Sequence, residues 1–330
     1  MDPSTVAERL GLGASRGRET VLKADEGNWA WRVATDSGVW VVKVRDNWGD
    51  DHSGVIERAG QLEIAAWRAG IAVPEPFLSD AATVGVWQPV DEHHHASAQR
   101  FLPGEHPETP LPPSIASWTG ATIAALERLA IPTGPAADYA FIPHPESDWD
   151  EWLAQAVDLG VLDRKAARDL KAAAMHVNRI ITSAVARPPE KIMVHNDISL
   201  LNILVTAEGP VLLDFDGAAP GVPWWDLIST AFGMDGDDVR TVEPVRSTVD
   251  NMLSGYLDAG GTIGPTDETA FTGMLAGRLA STAWELWMAC GHRGGGPELR
   301  AEFTRAVRIS IGALSTMVDS TGEWTTWLRG

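Results

Sequence analysis

The chain has a single cysteine, Cys290, among 330 residues, so it can close no intrachain disulfide and must hold itself together by packing. That scarcity fits a reducing compartment, and a cytoplasmic location is expected. No apolar run approaches the ~20 residues that span a bilayer, so no membrane association is expected. The opening MDPSTVAERLGLG lacks a hydrophobic signal region, and no secretion leader is expected there. Basic residues are also scarce: 26 Lys and Arg stand against 45 Asp and Glu, a net charge of −19. A field of that sign repels a nucleic-acid backbone and attracts small cations, although solubility alone also explains it. The pattern G-x4-G-K-[ST] is absent, which excludes the P-loop nucleoside triphosphatases. GLGASRG at 11–17 lies too early to stand in for it.

Apolar residues make up 44% of the chain, enough for a sizeable core in one large domain or two lobes. WAWRVAT (29–35) and VWVVKV (39–44) are rich in β-branched and aromatic residues, with DSG (36–38) as the hairpin turn between them. A second strand pair is expected at VGVWQPV (84–90) and ASAQRFL (96–102). Between the pairs, residues 54–70 place Ile56, Leu62, Ala65, Ala66 and Ala69 at helical spacing, and VPEP ends the helix. The first zone therefore reads as a small sheet with a helix packed on it. Beyond FLPGEHPETPLPP the pattern turns helical, at 114–130, 148–186, 241–259, 267–291 and 298–318. The exceptions are the short apolar arms of VHNDISLLNILV (194–205) and GPVLLDFDG (209–217).

Those exceptions carry the chemistry. A turn between apolar arms needs polar residues, but not a carboxylate and an amide five positions apart. If LLNILV pairs with PVLLDF around TAEGP, Asn202 and Asp214 come together. An amide oxygen and a carboxylate are hard ligands that suit Mg²⁺, with water and phosphate oxygens completing its shell. Asp197 lies farther back in the loop, free to accept a proton from a hydroxyl. Metal ligands on one side and a base-like aspartate on the other are the parts of a phosphoryl-transfer site. Singly, each residue is explained equally well as a turn cap.

His195-Asn196-Asp197, Asn202 and then Asp214-Phe215-Asp216-Gly217 together resemble the aminoglycoside phosphotransferase and choline-kinase-like family, within the protein-kinase-like fold. That family has an H-G-D-x4-N loop followed by a magnesium-binding Asp. Asn196 stands where Gly is usual, a substitution that choline-kinase-like sequences tolerate. Asp226 in VPWWDLIS matches a downstream Asp-Leu; with His195 it is expected to support the catalytic loop. The resemblance runs through nearly the whole chain, with its specific part at 195–226. It implies a two-lobed α+β fold: a nucleotide-binding lobe and hinge over 1–104, and a mostly helical catalytic and substrate-binding lobe over 105–330.

The resemblance further implies that Lys43, the one charge in VVKV, holds the nucleotide phosphates and pairs with a glutamate of the following helix, Glu63 or Glu57. The turn DEGNWAW, with Gly27 and Asn28, is expected to cover the nucleotide. QRFLPG, with Gln99 and Phe101, is expected to form the hinge that reads the adenine edge. The implied activity is ATP- or GTP-dependent phosphorylation of a hydroxyl on a small molecule, with Mg²⁺ held by Asn202 and Asp214 and with Asp197 as the base. The acidic charge points to a cationic substrate such as an aminoglycoside, with Asp216, Asp235, Asp237, Asp238 and Glu285 as candidate contacts. Trp149, Trp152, Trp284 and Trp287 alternate with acids and read either as core or as an aromatic wall for an amine. A metabolite kinase for an amino sugar, choline or homoserine shares these parts. A kinase acting on proteins is disfavoured, because HRD and APE signatures are absent. A nucleotide-binding pseudokinase would lack one of Lys43, Asp197, Asn202 or Asp214, and all four are present.

Overall fold

The computed structural model describes residues 1–25, 27–47, 50–134, 144–187, 189–235, 243–292 and 294–329. They form two compact units: Met1–Glu108 with Thr122–Ala137 and Lys191–Gly221, and Thr109–Ala121 with Asp138–Glu190 and Val222–Gly330.

The first unit opens with helix α1 (Pro3–Leu10), started by Asp2, whose side chain accepts from the Thr5 N–H. Strands β1 (Thr20–Asp25), β2 (Asn28–Thr35) and β3 (Gly38–Asp46) follow, then α2 (Asp50–Arg68), β4 (Gln88–Pro89) and β5 (His94–Arg100). The five strands form one antiparallel sheet in the order β1-β2-β3-β5-β4. Alternation sorts its two faces. Trp31, Val33, Trp40, Val42, Val44, Ala96 and Ala98 join Val6, Ala7, Leu10 and Leu12 in one buried core. Lys43 therefore falls on the opposite face, opposite Ser97 in register.

Here the structure corrects the sequence reading. Helix α1, which the sequence reading passed over because eight residues give only two turns of pattern, packs on the sheet. Helix α2, whose Glu63 acts on Lys43 of β3, also packs against β6 (Ile192–Val194), β9 (Ala219–Gly221) and the turn Phe215–Gly217. Its buried stripe is Ala59, Leu62, Glu63 and Ala66, so a carboxylate occupies a core position. The strand expected at 84–90 shortens to Gln88–Pro89, because the Trp87 N–H turns back to the Val84 carbonyl at 2.9 Å and Pro89 has no N–H to donate. Strands β7 (Ile203–Thr206) and β8 (Gly209–Leu212) pair as expected around their turn, Ile203 opposite Leu212.

Helix α3 (Pro113–Leu129) belongs to the first unit from Thr122 onward, while its earlier residues, with Thr109–Pro112, open the second unit. That unit also contains α4 (Glu146–Asp158), α5 (Arg164–Val185), α6 (Pro223–Gly233), α7 (Arg246–Asp258), α8 (Thr272–Cys290) and α9 (Pro297–Trp327). The helix expected over 148–186 is two helices: Gly160 adopts φ +72° and Asp163 caps the next start. Helix α9 runs past the expected end at 318, because Thr321, Trp324 and Thr325 continue its buried face. Phe232 meets Phe271 at 5.1 Å and Trp324 at 5.3 Å between ring centres, an aromatic node of this core. Among the described residues no helix is long and apolar enough to cross a membrane.

Candidate active site

The pairing of β7 with β8 brings the motif residues together. Beyond their last rung, the Leu213 N–H donates to the Asn202 carbonyl at 2.8 Å. Asn202 and Asp214 thus flank one end of a two-stranded ribbon inside the first unit. Asn202 is buried, and its amide nitrogen donates to the Asp197 main-chain carbonyl at 2.7 Å and to Asp197 Oδ2 at 3.0 Å. No described residue donates to the Asn202 amide oxygen. That oxygen and the Asp214 carboxylate are hard donors of the kind Mg²⁺ takes, so this pair fits a divalent ion whose shell phosphate and water complete.

Asp197 is held on its other side by Gly217. A methyl group at Gly217 would sit 2.9 Å from the Asp197 Cβ, so only glycine leaves the aspartate its place. Nothing in the spacing of the sequence announced this contact. Asn196 adopts φ +61° and Asp214 φ +62°. Asn tolerates the left-handed region better than most residues, which explains how Asn196 can stand where the family's Gly does. Burial raises the Asp197 pKa, the charge of Asp214 adds to the rise, and the Asn202 hydrogen bond opposes it.

Lys43 reaches the same turn. Its ammonium donates to Asp214 Oδ1 at 2.7 Å and to Asp216 Oδ2 at 3.2 Å. Burial works to lower its pKa, but the carboxylates of Asp216, Asp214 and Glu63 outweigh burial and raise it, so it stays charged. Burial works against ionised Asp214 too, yet Lys43 holds its carboxyl below the ordinary value. Glu57 gives its carboxylate to the Gly85 N–H and to Gln61. Glu63, not Glu57, is the glutamate whose charge acts on Lys43. The expected direct Lys43–Glu63 pair is replaced here by the bonds to Asp214 and Asp216. Among the described residues no hydrogen bond holds the Glu63 carboxyl, and burial pushes its pKa up to about 7 against the attraction of Lys43.

His195 is fully buried, packed edge-on against Phe215 at 4.7 Å between ring centres. Its Nε2–H donates to the Leu213 carbonyl at 3.0 Å, which fixes the tautomer. Burial drives its pKa down to about 4. Neutral His195 is thereby tied to the segment at Leu213. Asp226 is buried in the first turn of α6, in the second unit.

On the nucleotide side, Gly27 takes φ +76° just before β2, and its carbonyl accepts the Asp46 N–H at 2.9 Å. Asn28 starts β2, opposite Asp25 and Arg45. Gln99 pairs with Val41 in the sheet. The Phe101 N–H already donates to the Val39 carbonyl at 3.0 Å, so Phe101 has only its carbonyl and its ring to offer an adenine. The candidate substrate acids scatter. Asp216 lies on Lys43. Asp235 is buried and accepts the Leu111 N–H at 3.0 Å, so it is no exposed clamp. Asp237 and Asp238 lie outside the described residues. Glu285 is half-buried on α8. Trp149 is fully buried, and Trp152 packs edge-on between it and Trp287 at 5.3 and 5.4 Å; Trp149 and Trp152 are packing, not an open wall.

The sequence profile of the "Phosphotransferase enzyme family" matches residues 19–266. Among curated protein sequences, none matches this chain. The solved structure of a microcompartment-associated aminopropanol kinase superposes with a TM-score of 0.66 at 18% identity, covering 97% of this chain and 99% of that one. Spectinomycin phosphotransferase APH(9)-Ia, in complex with ADP and spectinomycin, gives 0.61 at 14% identity, covering 94% and 98%. Amicoumacin kinase, in complex with AMP-PNP and Ca²⁺, gives 0.60 at 14% identity, covering 94% of each chain. At these identities the likeness establishes the fold, the two-lobed protein-kinase-like architecture that the resemblance implied.

Proposed function

This chain belongs to the phosphotransferase enzyme family, and we propose that it transfers the terminal phosphoryl group of ATP or GTP, with Mg²⁺, to a hydroxyl of a cationic small molecule. It is a small-molecule phosphotransferase acting on hydroxyl groups; the nucleotide, the metal and the charge of the substrate are the proposal. The observation that carries it is the convergence of Lys43, Asp214, Asn202 and Asp197 in one unit, tied by the bonds of Lys43 to Asp214 and of Asn202 to Asp197. In this reading Asp197 accepts a hydrogen bond from the acceptor hydroxyl, orients it and takes its proton as phosphorus is attacked. Lys43 holds the phosphates. Asn202 and Asp214 would hold Mg²⁺, which would supply positive charge to the phosphate oxygens. Glu63 supports Lys43, and His195 keeps the loop in place. The nucleotide-bound ADP and AMP-PNP complexes among the neighbours support the nucleotide assignment.

The net charge of −19 supports a cationic substrate. An antibiotic is the first reading, supported by the spectinomycin and amicoumacin enzymes. A metabolite kinase for an amino alcohol is the second, motivated by the aminopropanol kinase. Either would act in the cytoplasm, where nucleotide and Mg²⁺ are supplied. An ADP-release assay across aminoglycosides, peptide antibiotics, amino sugars, amino alcohols and choline separates the two readings. Turnover on an antibiotic supports the first and turnover on an amine metabolite the second; ADP release with no dependence on any hydroxylated acceptor contradicts both.

A further inference from the structure

We propose that Lys23 is a second phosphate-binding cation of this site and takes the terminal phosphoryl group of the nucleotide. The inference rests on the reading above, in which Lys43 holds the nucleotide phosphates and Asp197 faces the acceptor hydroxyl. The sheet register sets Lys23 opposite Ala30, Ala30 opposite Lys43 and Lys43 opposite Ser97. Residues directly opposite one another share a face of the sheet. Both lysines therefore stand on the face from which Lys43 reaches Asp214. A bulge puts Lys23 there. Val21 lies opposite Trp31, a residue of the buried core on the other face. Strict alternation would return Lys23 to that face. Instead the register shifts between Val21 and Lys23, and Leu22 is the extra residue. Two strand spacings separate the lysines, about 10 Å of backbone. The side chain between them, Ala30, is a single methyl, so two flexible four-carbon stems can close on a chain of phosphates lying over it.

The two ends of this row differ. Lys43 donates to Asp214, the candidate metal ligand. Lys23 acts on Asp197, the candidate base: burial raises the Asp197 pKa, and the charge of Lys23 opposes the rise. The phosphorus attacked by a hydroxyl held on Asp197 must lie beside that hydroxyl. A cation at the Asp197 end therefore meets the group in transit, and Lys43 meets the phosphates behind it. As the acceptor oxygen bonds to the terminal phosphorus, the bond from phosphorus to the bridging oxygen breaks, and that oxygen leaves with the nucleoside diphosphate. Asp197 takes the hydroxyl proton. Lys23 keeps its own proton and supplies fixed positive charge to the phosphoryl oxygens.

Lys23 is exposed, so Lys23→Gln should melt like wild type. Calorimetric titration with Mg·ADP and with Mg·AMP-PNP, which differ by the terminal group, tests the assignment. In Lys23→Gln the AMP-PNP affinity should fall roughly tenfold, the range of one charge-assisted hydrogen bond, while the ADP affinity holds. Lys23→Arg keeps the charge and should restore most of the loss. With the best acceptor, kcat of Lys23→Gln should fall by about tenfold or more. Equal losses for both nucleotides would put Lys23 on the inner phosphates. A loss of kcat with both affinities intact would make it a support of Asp197 alone. Either result overturns the inference, as does a Lys23→Gln variant equal to wild type throughout. If wild type binds both nucleotides and the variant keeps both affinities, this inference alone fails. If wild type binds neither, the nucleotide reading fails and takes this inference with it.

Discussion

The side-chain amide of Asn202 donates to both the carbonyl and the carboxylate of Asp197, at 2.7 and 3.0 Å. One residue thereby restrains the candidate base and keeps an amide oxygen for another partner. The two functions can be separated. Asn202→Asp retains an oxygen ligand but sets a carboxylate against that of Asp197 in place of the donor. It should hold Mg·nucleotide near wild-type affinity and lose kcat by roughly 10²-fold or more, because misplacing a reacting group is costly. Asn202→Ala should lose both. Steady-state kcat alongside a Mg²⁺ titration of nucleotide binding reads the two effects apart; wild-type kcat in Asn202→Asp contradicts the assignment.

Asp214→Asn replaces an anionic hard ligand with a neutral one. The Mg²⁺ concentration needed for half-maximal nucleotide binding should rise about tenfold or more. Metal-free ADP should bind no worse, since a competitor for Lys43 loses its charge. Metal dependence equal to wild type would assign Asp214 to structure.

Two buried groups give opposite pH trends in stability. The pKa of His195 falls to about 4 in the folded chain, chiefly by burial. From its ordinary value of 6.5 down to about 4 the unfolded chain takes up a proton that the folded chain refuses. Acidification through that window therefore destabilises the fold, by about 3 kcal/mol in all. Glu63 is pushed up to about 7, also chiefly by burial, so from 4.5 to about 7 the folded chain holds the extra proton. Its contribution is present below that window and is lost as pH rises through it. Wild type should show the two partly cancelling. Thermal melts between pH 4 and 7 should fall more gently on acidification in His195→Gln and more steeply in Glu63→Gln. Parallel profiles for the three proteins contradict the burial account of both groups.

The site was more legible in the sequence than the packing around it. Spacing alone pairs LLNILV with PVLLDF, and the observed register of Ile203 with Leu212 follows it. Lys43 was singled out by the family resemblance, with its place as the one charge in an apolar strand in support. Neither showed which carboxylate Lys43 would bond, because Glu63, Asp214 and Asp216 converge only through tertiary packing. Helix α6 escaped because PWWDLISTAFG buries eight of its eleven residues and shows no polar face to set a period. The Asp197–Gly217 contact escaped for another reason: close approach to a glycine leaves no pattern between residues that lie twenty positions apart.

The central claim is that Asp197 carries the transfer step while Lys43, Asn202 and Asp214 hold the nucleotide. Acceptor-dependent ADP release, measured in wild type and in Asp197→Asn at saturating Mg·ATP with the best acceptor from the screen, tests it most directly. Asp197→Asn keeps the shape of the side chain, so Mg·ATP binding by calorimetry should stay within about threefold of wild type. Turnover should fall by roughly 10²–10⁴-fold, the range for losing a positioned acid–base group. Near-wild-type turnover in Asp197→Asn, with nucleotide binding intact, would contradict the account.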